Sequence, residues 1–159
     1  MRYTPEQYEK KLKTWAKNSP EAIERGLNKA ATEIIGTART QHLSGPKMAW
    51  GKTGGFLRST LAAPTGTLKG SLAKRVSVTA GKIIAQVGSN LKYARIHEYG
   101  GTIMAKGSGR LHFVVNGIHY TPKSVKIPER PYLRPSVDSQ RKRTLQIISE
   151  EYIGAYNRG

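Results

Sequence analysis

Four histidines, ten acidic residues and no cysteine limit the catalytic and metal-binding chemistry open to this chain. His112 and His119 flank an Asn116-Gly117 turn and could meet across it, yet zinc needs a third and fourth ligand and acids are scarce nearby. No metal site follows. His97 and Glu98 stand beside Tyr93, Arg95 and Tyr99 in the run KYARIHEYGG, the one place where an acid and a base adjoin aromatic and cationic side chains. General acid–base catalysis needs a positioned pair with matched pKa values. No Ser-His-Asp arrangement or paired carboxylate is readable to complete one. Thr53-Gly54-Gly55 and Gly100-Gly101 lack the spacing of a phosphate-binding loop. The expectation is no catalytic residue, no cofactor and no metal, so the chain is not an enzyme.

Binding chemistry is better supplied. Lysine and arginine number 27 against ten acids, a formal charge of +17. The excess is even: 14 basic and 5 acidic residues in 1–80, 13 and 5 in 81–159. Such a field favours nucleic acid or an acidic protein surface and speeds association. Phe113, Tyr120 and Tyr132 lie among Lys123, Lys126, Arg130 and Arg134, the mixture of aromatic and basic residues that single-strand binders use. Arg141-Lys142-Arg143 adds a basic cluster further on. A basic nucleic-acid-binding protein is therefore a live alternative, although Pro122, Pro128, Pro131 and Pro135 stiffen the stretch and no base-reading module is present.

The elements that position these residues can be read from periodicity and punctuation. Thr4-Pro5-Glu6-Gln7 forms a capping box with proline at the first helical position. Tyr8, Leu12 and Trp15 make one face of a short helix ending near Asn18, and Ser19-Pro20-Glu21 repeats the start signal. Ile23, Leu27, Ala30, Ala31, Ile34, Ile35 and Ala38 then keep a helical period to about Gln41. Gly26 and Gly36 would let a neighbour pack closely. Residues 44–55, rich in glycine, predict a flexible loop, with Trp50 as an anchor or a partner contact. A short helix over Phe56–Leu61 follows.

After residue 71 strand chemistry dominates. Arg75–Val78 and Ile83–Val87 flank an Ala80-Gly81-Lys82 turn. Gly101–Met104 and Leu111–Val115 read as a second pair across Lys106–Gly109. Asn116-Gly117 links Val115 to Ile118–Tyr120, and Val125–Ile127 is a further strand. Val137, Leu145, Ile148, Tyr152 and Ile153 predict an amphipathic helix from Ser136 to Tyr156. The fold class expected is α+β: N-terminal helices, an antiparallel sheet with hairpins, and a C-terminal helix packed on the sheet. One domain over 1–159 suits the length. No segment has the apolar length of a membrane span, and a reducing cytoplasm is compatible with the lack of cysteine.

Local geometry gives the two central runs a purpose. Tyr93, Ile96 and Tyr99 share one face of a short helix that Gly100-Gly101 ends, leaving His97 and Glu98 for capping or partner contacts. Three prolines pre-order the strap Ile127–Pro135. In it Tyr132 and Leu133 could plug a pocket while Arg130 and Arg134 form ion pairs; equally, the strap could pack on the chain itself.

Three segments together resemble a known family. Thr53–Leu61 is similar to a "TGxLxxSL" entry segment, Tyr93–Gly101 to a "YAxxHExGG" signature, and Ile127–Pro135 to an "IPxRPFLRP" strap, in that order. The family is that of tailed-bacteriophage tail-completion and virion-morphogenesis proteins of the minor tail protein Z type. The stretch 105–126 departs from it as an extra hairpin. The resemblance implies a structural virion protein, made in the host cytoplasm, that completes the tail and joins it to the head. It implies a homo-oligomeric ring in the neck, contacting a tail terminator, a head-completion or connector protein and the tail tube, close to packaged DNA. A tail terminator of similar fold is the nearest variant. On this reading the protein-contact residues are Trp50, Tyr93, Arg95, His97, Glu98, Tyr99, Arg130, Pro131, Tyr132, Leu133 and Arg134. Lys123, Lys126, Arg141, Lys142 and Arg143 are those nearest nucleic acid.

Overall fold

A computed structural model of the chain describes residues 3–44, 66–115 and 117–158. Trp50, the 44–55 loop beyond Ser44, and the Thr53–Leu61 segment lie outside the described residues. The fold is α+β, as the sequence predicts, and the chain divides into two compact units.

The first unit takes residues 1–36, 73–88 and 136–159. Its first helix, α1 (Pro5–Thr37), opens on the predicted capping box: Gln7 N–H donates to Thr4 Oγ1 at 3.3 Å and Thr4 N–H to Gln7 Oε1 at 3.0 Å. The predicted break at Ser19-Pro20 does not occur, and α1 runs on through Pro20. A helical proline leaves the carbonyl four residues back without its donor. Here Ser19 Oγ donates to that carbonyl, Ala16 O, at 3.1 Å and makes good the loss.

The last helix, α4 (Arg134–Arg158), begins two residues earlier than expected. Within this unit it packs on α1. A Cβ on Gly26 would lie 3.0 Å from Ile148 Cα, so the glycine admits the α4 backbone itself. Trp15 packs edge-on against Tyr152 and Tyr156 at 5.0 and 5.9 Å. Glu151 receives Lys29 and Arg25 from α1. The buried side chains of α4 are Ser136, Ile147 and Ala155, whereas Val137, Leu145 and Ile153, expected to face inward, are exposed. Close helix packing selects small residues, so the apolar count alone pointed to the wrong face.

Strands β1 (Leu72–Thr79) and β2 (Lys82–Ser89) form the predicted hairpin. Ala80 and Gly81 both take positive φ, 47° and 78°, as a two-residue hairpin turn that matches strand twist requires. Lys74 Nζ fastens the hairpin to α1 through Asn28 O at 2.8 Å and Thr32 Oγ1 at 2.7 Å.

The second unit takes residues 37–72 and 89–135. A π-helical turn, Ala38–His42, closes with Leu43 N–H on Ala38 O. Arg39 then reaches the carbonyls of Lys69, in the single-turn helix α2 (Thr67–Gly70), and of Leu72. Beyond the short helix α3 (Ala94–Tyr99) come β3 (Gly101–Met104), β4 (Phe113–Val115), β5 (Ile118–Tyr120) and β6 (Ser124–Ile127). β4 pairs with β5, as expected. The expected pairing of β3 with β4 is overturned, because β3 pairs with β6, Gly101 opposite Ile127 and Met104 opposite Ser124.

Strand register explains the change. The β4–β5 register sets Phe113 opposite Tyr120, and Leu111 N–H extends that ladder to Pro122 O. Ala105 N–H then bonds Lys123 O, so Lys106–Arg110 is extruded and β3 resumes the zipper. The segment 105–126 is thus a hairpin nested on the β3–β6 pair. The same register sets His119 opposite Val114, so His112 and His119 are not cross-strand partners.

Candidate functional site

The central run and the proline strap meet. Leu91 O accepts the Ala94 N–H at 3.0 Å and starts α3, whose spacing turns Tyr93 and Tyr99 outward and Glu98 inward. Gly100 ends it at φ 67°, ψ −177°, a region open essentially to glycine alone. A Cβ there would lie 2.8 Å from Glu129 N and 3.1 Å from Ile127 O. The glycine therefore does two things: it turns the chain into β3 and lets the strap cross directly over it.

With the strap so close, its backbone donors need acceptors. Arg130 N–H takes His97 O at 2.8 Å. Glu98 takes the next three. Its Oε2 accepts from Tyr132 N–H at 2.9 Å and Leu133 N–H at 3.0 Å, and its Oε1 accepts from Arg134 N–H at 2.9 Å. Arg134 adds its side chain, Nε to Oε1 at 3.3 Å and Nη2 to the Glu98 carbonyl at 2.8 Å. The carboxylate is 5% exposed, as a residue, and caps the first turn of α4, where orphan N–H groups and the helix dipole favour an anion.

Charge states follow from these contacts. Burial pushes the Glu98 carboxyl up, but the bonds from Leu133, Arg134 and Tyr132 and the Arg134 side chain outweigh it and hold it below its ordinary value. Burial, then the Arg130 guanidinium, hold His97 below its ordinary value, so its ring is neutral near pH 7. Its Nδ1 is buried with no hydrogen-bond partner among the described residues. Burial, then the Glu98 and Tyr99 charges, push the Tyr132 phenol up to about 12.

The His97 ring stands at 83° to the Tyr93 ring with centroids 5.9 Å apart, and the Glu98 carboxylate is engaged by donors on both oxygens. Of the residues expected to meet a partner, Glu98, Arg130 and Tyr132 are buried and build this clasp, with His97, Pro131 and Leu133 half-buried beside them. Tyr93, Arg95, Tyr99 and Arg134 form the outward face, where the Arg134 guanidinium lies 4.9 Å over the Tyr99 ring. Lys123 and Lys126 belong to this unit and are exposed, whereas Arg141, Lys142 and Arg143 belong to the other. Arg143 is engaged with Glu33 and Glu150, each at 3.5 Å.

Sequence reasoning also missed Lys92, which opens the same outward face. Its signal was a cation one helical turn before Ile96, with no acid three or four residues away from it.

A buried clasp thus joins two distant segments and leaves an aromatic, cationic face outside. The chain belongs to the phage virion morphogenesis family, whose profile matches residues 57–152 and so takes in the clasp from both sides. A second profile, "Bacteriophage HK97-gp10, putative tail-component", matches residues 6–100 and overlaps the first across α3. No curated protein and no solved structure matches the chain. The protein is thus a component of phage tail and virion morphogenesis, from families of structural tail parts, and its place is the virion. No helix among the described residues is long and apolar enough to cross a membrane.

Proposed function

We propose that the protein completes the phage tail and joins it to the DNA-filled head. The observation that carries this is the match of both virion profiles across α3, the segment that the clasp holds in place. It acts without catalysis or cofactor, as a module of one chain, 1–159, repeated in a ring in the neck. Its neighbours are the tail terminator, a head-completion or connector protein, and the tail tube. Tyr93, Arg95, Tyr99 and Arg134 present the contact face, and His97, Glu98, Arg130, Pro131, Tyr132 and Leu133 hold it in shape; Trp50 adds a contact of its own.

A charge of +17 favours a position beside exiting DNA, with Lys123, Lys126, Arg141, Lys142 and Arg143 nearest to it. The same charge supports a second reading, a nucleic-acid-binding protein, which predicts DNA affinity that falls steeply with salt. Deletion of the gene in an infecting phage separates the two. Filled heads and finished tails that accumulate unjoined support the joining role. Normal particles without the protein refute it.

A further inference from the structure

Beside the clasp, Lys92, Arg95, Ile96, Tyr99 and Gly100 line an open hollow of about 480 Å³. Lys92 and Arg95 are exposed, and neither makes a hydrogen bond or ion pair among the described residues. The third cation nearby, Arg134, is already spent on Glu98, Glu129 and the Tyr99 ring. Glu98 is buried on the opposite side of α3, and among the described residues no acid lines the hollow. Ile96, the Tyr99 ring and the Gly100 backbone give it an apolar floor, and the strap crosses directly behind Gly100.

We propose that this hollow is the docking site for an acidic segment of another virion protein, a carboxylate side chain next to an apolar one. The inference rests on the docking role proposed above and names the chemistry of its partner. Two unspent cations about a concave apolar floor match one carboxylate and its aliphatic neighbour. Duplex DNA instead draws its affinity from many phosphates along a strip. A second copy of this chain carries the same charge of +17, so its field favours the hollow less than that of an acidic protein.

The test titrates a synthetic acetyl-Glu-Glu-Leu-Glu-Glu amide into the isotope-labelled full chain by NMR, at about 150 mM salt to screen the general field. Shifts should converge on Lys92–Gly100. Reversal of both cations, Lys92→Glu with Arg95→Glu, should weaken binding about tenfold, whereas Lys10→Glu with Lys17→Glu, an equal charge change on α1, should weaken it less than about twofold. The thermal melt should match wild type for the first pair, because neither side chain is bonded.

Equal losses from the two double variants overturn the proposal in favour of a diffuse charge effect. Absence of shifts in the hollow overturns it outright. Shifts there from a thymidine oligonucleotide but not from the peptide overturn it in favour of nucleic acid. Peptide binding in the hollow of a protein that phage can delete without losing joined particles refutes the joining role and spares the site. The reverse pattern refutes the site alone.

Discussion

Replacement of Glu98 by glutamine isolates the clasp, because the shape stays and the charge goes. The native carboxylate accepts three backbone N–H groups within 3.0 Å and the Arg134 Nε at 3.3 Å. A glutamine offers one acceptor oxygen. If that oxygen stays with Tyr132 and Leu133, the new NH2 faces the Arg134 donors, and two like groups oppose each other. Hydrogen bonds to a charged group contribute about 1.5–3 kcal/mol each, offset in part by the desolvation of the carboxylate. The expected loss is about 2–4 kcal/mol, or a fall in melting temperature of about 5–15 °C for a chain this long.

Urea unfolding at pH 7 measures that loss, and repetition at lower pH tests its cause. The folded carboxyl has the lower pKa, so its stabilisation is complete above the unfolded value, about 4.3, and disappears as pH falls through the lowered folded value. The gap between wild type and Glu98→Gln should therefore close in acid. A difference under about 0.5 kcal/mol at pH 7, the size of an ordinary surface change, refutes the reasoning. So does a gap that stays constant down to about pH 3, below the usual carboxylate range.

Other expectations follow from the same geometry. Gly100→Ala forces a side chain into a glycine-only conformation and 2.8 Å from Glu129 N, and should cost about 2–4 kcal/mol by denaturation. Gly36→Ala, in the interior of α1 with nothing within 4 Å of the new Cβ, should instead stabilise by about 0.5–1 kcal/mol. His97 is held neutral, so its contribution is whole above about pH 6.5 and is lost as pH falls through its lowered value. His97→Gln should remove that part of the acid slope and leave the Glu98 part. Absorbance near the phenolate band should show one tyrosine that ionises only at about 12, and Glu98→Gln should bring it down.

Local signals were legible wherever neighbours in sequence decide the structure. The Thr4 capping box, the Ala80-Gly81 turn, the β4–β5 hairpin and the end of α3 at Gly100 all depend on near neighbours and stand where their chemistry puts them. Three readings failed on contacts that periodicity does not carry. Pro20 ordinarily ends a helix, and only Ser19 turning back to Ala16 O keeps α1 whole. β3 chose β6 over β4 because the β4–β5 register reaches past a loop. The solvent face of α4 holds Leu145 and Ile153 because its contact with α1 is made through Gly26 at backbone distance.

The site was half legible. Both of its segments stood out, and capping was one of the uses open to Glu98. What could not be read was the union of the two, since 34 residues separate Glu98 from Tyr132. A trace was present: Glu98 has no cation three or four residues away except Arg95, which turns outward, while the strap supplies consecutive N–H groups with no strand to receive them.

The central claim is the place of this protein at the head–tail junction. Cryo-EM of purified virions, at side-chain resolution and with symmetry left free, tests it most directly. The account predicts a ring of this chain between the portal side and the tail tube, with the α3 face in an interface and the Glu98 clasp closed. Virions that lack the protein, or that carry it elsewhere than the neck, would contradict it.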